Sequence, residues 1–156
     1  MNISLLSPGH KMPEWVNVAF QTYNERLPNH LKIQLLELSP VSRQKGLSVP
    51  QIKSQEADVI EKHLKPGAHN IALDEHGKAI NTAYLAKQLA EWQMQGQDIN
   101  LIIGGADGLD QRIKNIANQT WSLSKLVFPH QLVRVIVAEQ IYRAYTLLNN
   151  HPYHRE

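Results

Sequence analysis

The chain is 156 residues long, 42% hydrophobic and 19% charged, the size and mix of one globular domain with its own core, which excludes disorder as the main state. Sixteen Lys and Arg against fourteen Asp and Glu leave a net charge of +2, too little to name a polyanionic partner from charge alone. The absence of cysteine excludes a disulfide framework, a thiol nucleophile and a cysteine zinc site, and apolar runs such as Val135 to Ala138 fall far short of the ~18 residues of a membrane span.

A single cytoplasmic domain over residues 1–156, with no membrane association, is therefore the expectation. The opening MNISLLSPGHKM lacks a basic stretch before its short apolar run, so residues 2–6 read as a first strand and not as a leader. Pro13 then opens a helix in which Val16, Phe20, Tyr23 and Leu27 share one face. Residues 32–38 form a second strand. The proline-bounded, polar stretch 39–50 is a loop, and 51–65 a helix closed by Pro66-Gly67. Asn70 to Leu73 is a third strand running into Asp74-Glu75-His76-Gly77, which taken alone reads as an ordinary turn. Residues 82–95 form a helix with Leu85, Leu89 and Trp92 on one face and Gly96 as its stop. Ile99 to Ile103 is the clearest strand. A short helix over 109–119, an apolar-rich run from Trp121 to Phe128 and a long helix over 131–148 complete the chain. Strands alternating with helices predict an α/β fold, a mostly parallel sheet flanked by helices.

In such sheets ligands gather at the carboxyl ends of the strands. Gly104-Gly105-Ala106-Asp107-Gly108 occupies that place after the fourth strand. It is not a dinucleotide fingerprint, since the spacing is wrong and no acid lies between Asp110 and Glu139, and it lacks the Gly-Lys-Ser/Thr of a phosphate loop. A plain turn capped by Asp107 or Asp110 is the simpler alternative. Residues 123–128 carry serines and a lysine where a buried strand would place Val or Ile. A backbone that half-leaves its sheet to line a pocket has this composition.

The last helix is apolar on most sides, with Glu139, Gln140, Arg143 and Thr146 in one sector and Arg134 alone opposite them. Arg134 needs an anion, backbone carbonyls or a solvent edge, because an unpaired buried charge costs several kcal/mol; a substrate or phosphate contact is the functional alternative. The tail His151-Pro152-Tyr153-His154-Arg155-Glu156 offers donors for phosphate, faces for base stacking and a proton acceptor. Pro152 prevents the helix that would align His151 and His154 on a metal, so no metal is expected.

The stretches LIIGGADGL, SLSKLVFPHQLVRV with VAEQIYRA after it, and the terminal NHPYHRE resemble the RlmH family of bacterial SPOUT-class methyltransferases. The likeness spans the chain and is looser over the first hundred residues. It implies a SPOUT α/β knot, with a deep C-terminal trefoil, in a homodimer. It also implies transfer of methyl from S-adenosylmethionine to N3 of a pseudouridine in 23S rRNA, on assembled ribosomes. Carried onto this sequence, the donor site would comprise Leu73, Gly104 with Gly105, and Leu123, Ser124, Lys125, Leu126, Val127 and Phe128. His154, Tyr153 and Arg155 would be catalytic, and His130, Arg134 and Arg143 would contact RNA, His154 being the first choice of proton acceptor. A non-catalytic, ribosome-associated RNA-binding factor that kept the knot is the competing expectation.

Overall fold

The first four strands expected from sequence form, a fifth forms over Gln119–Ser122 at the start of the last apolar run, and all five pair in parallel. The computed structural model describes residues 1–41 and 46–155; residues 42–45 of the loop expected over 39–50, and Glu156, lie outside the described residues. Along the chain run β1 (Ile3–Pro8), α1 (Glu14–Asn24), β2 (Ile33–Leu38), α2 (Val49–His63), β3 (His69–Ala79), α3 (Thr82–Gln95), β4 (Ile99–Ile103), α4 (Gln111–Ile116), β5 (Gln119–Ser122) and α5 (His130–Leu148). A single 3-10 turn, Asn29–Leu31, precedes β2. The sheet order is β2-β1-β4-β3-β5.

Side chains alternate across a strand, and the two faces of this sheet carry separate cores. Ile3, Leu5, Ile71, Ile99, Leu101 and Ile103 meet Phe20 of α1, Leu85, Leu89 and Trp92 of α3, and Val137, Ala138 and Ile141 of α5. Leu6, Ala72 and Ile102 point the other way, onto Ala57 and Ile60 of α2 and Ile113 of α4. Covering on both faces explains why all five residues of β4 are buried, without alternation, the polar Asn100 donating to Asn70 Oδ1 at 2.9 Å. Trp121 of β5 is fully buried, stacked on Trp92 at 5.9 Å and edge-on to Tyr84 at 5.8 Å.

Local signals set several boundaries. Ser48 and Gln51 form a reciprocal capping box, so α2 begins at Val49, two residues before the expected start. Gly96 closes α3 in the left-handed region, φ 64°. Two expectations are corrected. β3 does not end in a turn at Asp74 but continues to Ala79, and Leu73 and Lys78 both pair with Trp121, so residues 74–77 bulge out of the ladder. The bulge depends on Gly77: a Cβ there would lie 2.7 Å from the Thr120 carbonyl. The fifth strand lies over 119–122, which shortens α4 to end at Ile116 and frees 123–128 from the sheet.

Candidate functional site

The β3 bulge, the glycine turn after β4 and the segment that leaves β5 converge on a cavity of about 410 Å³, within the ~300–1,000 Å³ range of small-molecule sites. Leu73, Ile103, Leu109, Leu123, Val127 and Phe128 supply apolar walls, and the backbone of residues 104–108 and 122–124 supplies polar groups. The turn is tightly built. A Cβ on Gly104 would stand 2.8 Å from the Gly108 carbonyl carbon and 2.9 Å from the Leu109 nitrogen, and one on Gly105 would collide with the Glu56 carboxylate. Asp110 caps α4 through the Arg112 amide at 2.8 Å, so the acid that simple turn chemistry requires is Asp110. Beyond β5, Ser122 Oγ donates to the Ser124 carbonyl and the Leu126 amide donates to Ser124 Oγ, which curls the loop over the cavity.

Charged groups stand at the mouth. Asp74 pairs with Lys114 at 3.5 Å, Glu75 lies 3.3 Å from the exposed His76 ring, and Lys53 and Asp107 also line the space. His130, the first residue of α5, closes one side. Burial, with the nearby Arg134 guanidinium, lowers its pKa from 6.5, so the ring is neutral at pH 7.

Eight of the nine residues expected in the donor site line this cavity; Lys125 is exposed and does not. Asp74, Glu75 and His76 were missed, since a turn of polar residues carries no signal that a bulge will aim it at a distant loop, and Lys53 was missed because it lies on the separate helix α2. Arg134 requires a correction. It has no exposed surface and is held by Glu37 Oε2 at 2.9 Å, Ser7 Oγ at 2.9 Å and the carbonyls of Pro8 and Gly9. A guanidinium enclosed by the ends of β1 and β2 does not reach an RNA; its anion is internal.

The remaining expected residues form a second cluster. Glu139 accepts from Arg143 and from the Tyr153 hydroxyl at 3.0 Å, and Arg143 Nη1 donates to His154 Nδ1 at 3.2 Å. Tyr153 packs edge-on to Tyr142 at 4.8 Å, beneath the Arg143 guanidinium. Burial first, then the bond to Glu139, pushes the Tyr153 phenol up to about 12, so it acts as a donor at neutral pH. Arg26 stacks over Tyr23 and Tyr142, extending the cluster onto α1, and Arg155 is exposed. His130 and Arg143 sit more than three turns apart on α5, about 20 Å along its axis at ~1.5 Å per residue. None of Glu139, Arg143, Tyr153 or His154 lines the cavity of its own chain.

The family described as "Predicted SPOUT methyltransferase" matches residues 1–154. The chain belongs to the SPOUT methyltransferase family. Curated relatives match it end to end. The protein named ribosomal RNA large subunit methyltransferase H from Hahella chejuensis is 46% identical over 156 residues, covering all of both chains. Its namesake in Hydrogenovibrio crunogenus is 47% identical over 156 residues, again covering all of both chains. A solved structure titled as a probable methylase family protein from Haemophilus influenzae Rd KW20 superposes with a TM-score of 0.58. It shares 14% identity and covers 99% of this chain and 70% of its own, a likeness of fold. In this SPOUT chain, among the described residues, no group of three or more His, Asp or Glu is placed to hold a metal ion, and no helix is long and apolar enough to cross a membrane.

Proposed function

We propose that this SPOUT protein transfers a methyl group from S-adenosylmethionine to N3 of a pseudouridine in 23S rRNA, acting as a homodimer on the assembled large subunit. The observation that carries the reading is the cavity itself. It is walled by backbone from three strand-end loops in a chain whose relatives, at 46–47% identity over their full length, are named for large-subunit rRNA methylation. S-adenosylmethionine fits the residues present: the apolar walls suit an adenine, the glycine turn leaves no Cβ in the way, and the Asp74, Glu75 and Asp107 carboxylates favour a cationic ligand. When bound, the donor supplies a methyl on a sulfonium, with its leaving group already in place.

The protein's own work is then positioning and electrostatics. N3 of pseudouridine carries a proton that must leave as the nitrogen meets the methyl carbon in line. Loop 123–128 excludes water over the cavity. Arg143, Tyr153, His154 and Arg155 offer guanidinium and ring faces to RNA, and the ~20 Å separation on α5 gives them no access to their own cavity. In a homodimer the tail of one copy completes the cavity of the other. The exposed Trp15 and Val18 on α1, each 57% accessible, are apolar surface that such pairing would cover. A C-terminal knot is what membership of the SPOUT family implies for the segment from β5 through α5.

Radiolabelled S-adenosylmethionine, incubated with ribosomes that lack the modification and in parallel with naked rRNA, tests the proposal. Label on a large-subunit pseudouridine with ribosomes and not with naked rRNA is expected. Donor binding without label on either would assign another RNA target, and no donor binding would refute the reading.

A further inference from the structure

The methyl-transfer reading leaves open which group takes the N3 proton, and we infer that His130 is the catalytic residue that accepts it. The inference rests on that reading and on three observations. His130 lines the donor cavity, at the point where loop 123–128 turns into α5. Among the described residues its ring has no hydrogen-bond partner, so neither ring nitrogen is committed to one. Every other candidate is already engaged. His154 Nδ1 accepts a hydrogen bond from the Arg143 guanidinium, Tyr153 donates to Glu139, and the His76 ring is 80% exposed against Glu75. His154, the first choice on sequence, lies beyond reach of its own chain's cavity.

The electrostatic setting suits a neutral acceptor. Burial first, and then Arg134 one turn along α5, disfavour a charged ring. Lys53 on α2 and Lys114 on α4 act in the same sense from across the cavity, while Asp74, Glu75 and Asp107 oppose them and His76 shares the rim. Lys114 is offset by its pair with Asp74. In the step itself the N3–C bond forms as the methyl C–S bond breaks, with that pair staying on sulfur. The N3 proton passes to the imidazole, which later releases it to solvent. One positive charge leaves the sulfonium as one appears on His130, so the cavity's total charge is constant through the reaction.

The test compares wild type with His130→Gln and His130→Asn in single-turnover methyl transfer to ribosomes, with S-adenosylmethionine binding measured by calorimetry. General-base loss predicts a rate about 100-fold lower or more, donor binding within twofold, and unchanged KM for ribosomes. Wild-type rate should fall below pH 6.5 along a single ionisation, and both variants should lose that acid limb. Their rates should instead climb with pH through the alkaline range where the imide ionises unaided, an approach to wild type that a merely structural defect would not produce. Variants that keep the wild-type rate or its acid limb would overturn the inference. A wild-type rate that is flat through the acid range would overturn it even if the variants fail to fold. Donor-bound wild type that methylates no RNA would remove the underlying reading instead.

Discussion

Replacing Arg134 with alanine removes a side chain that ties α5 to the carboxyl ends of β1 and β2. Arg134 is fully buried, with Glu37 and Ser7 each at 2.9 Å and two backbone carbonyls at 3.4–3.5 Å. Its Nε has no partner among the described residues, so the ion pair already carries an uncompensated donor. Breaking a buried pair costs ~3–5 kcal/mol. Glu37 keeps 35% of its side chain in solvent and can rehydrate, which places Arg134→Ala near the lower end, at about 3 kcal/mol. At ~2–4 °C per kcal/mol for a domain of this size, the melting temperature should drop by roughly 6–12 °C. Glu37→Gln, which leaves the guanidinium among neutral acceptors, should cost about 1–2 kcal/mol. Denaturant unfolding of both single variants and the double variant, at one fixed protein concentration, gives the coupling directly. Full additivity, or an Arg134→Ala protein that melts within 2 °C of wild type, would refute an internal strut. Loss of ribosome binding at unchanged stability would restore the RNA contact expected from sequence.

Gly104→Ala forces a Cβ into the backbone of Gly108 and Leu109; S-adenosylmethionine binding, read by calorimetry, should weaken at least tenfold while far-UV circular dichroism is unchanged. One tyrosine should titrate at about 12 in ultraviolet absorbance, and Tyr153→Phe should remove it. Because that folded-state value lies above the ordinary 10, the associated stability is fully present below pH 10 and is lost as pH rises from 10 toward 12. Ser48→Ala deletes the capping box of α2 and should cost about 1 kcal/mol in denaturant unfolding, with methyl transfer unaffected.

The elements that sequence located well are those whose evidence is local. β4 is four apolar residues in five, interrupted by Asn100 and stopped by Gly104-Gly105, and α3 carries its face of Leu85, Leu89 and Trp92 together with the glycine that ends it. The β3 extension was illegible because nothing in Asp74-Glu75-His76-Gly77 is strand-like; it exists because Gly77 lets the chain lie against Thr120 and Trp121, far along the sequence. Arg134 posed a solvable question, which anion it meets, but the answer lies 97 residues away on β2. The residues that line the cavity followed from a resemblance plus the rule that ligands gather at strand ends; Lys125 is the one residue of 123–128 that does not line it. The tail cluster was half visible: the Glu139 and Arg143 spacing fixes their pairing, whereas Tyr153 joining them depends on how the chain turns after α5.

The strand order also dictates when this chain can fold during its own synthesis. β1 is an inner strand, paired on one side with β2 and on the other with β4, and the amide of Asn2 bonds to Asp98, 96 residues later. Until two-thirds of the polypeptide has left the ribosome, the strand Ile3–Pro8 can pair on one edge only, with its other edge and its apolar side chains uncovered. No pair in the sheet is a hairpin, so every ladder waits on a long crossover, a topology that folds slowly and exposes sticky intermediates. A nascent chain stalled shortly before Ile99 should therefore be a strong client for holding chaperones, and one released a few dozen residues later a weak one.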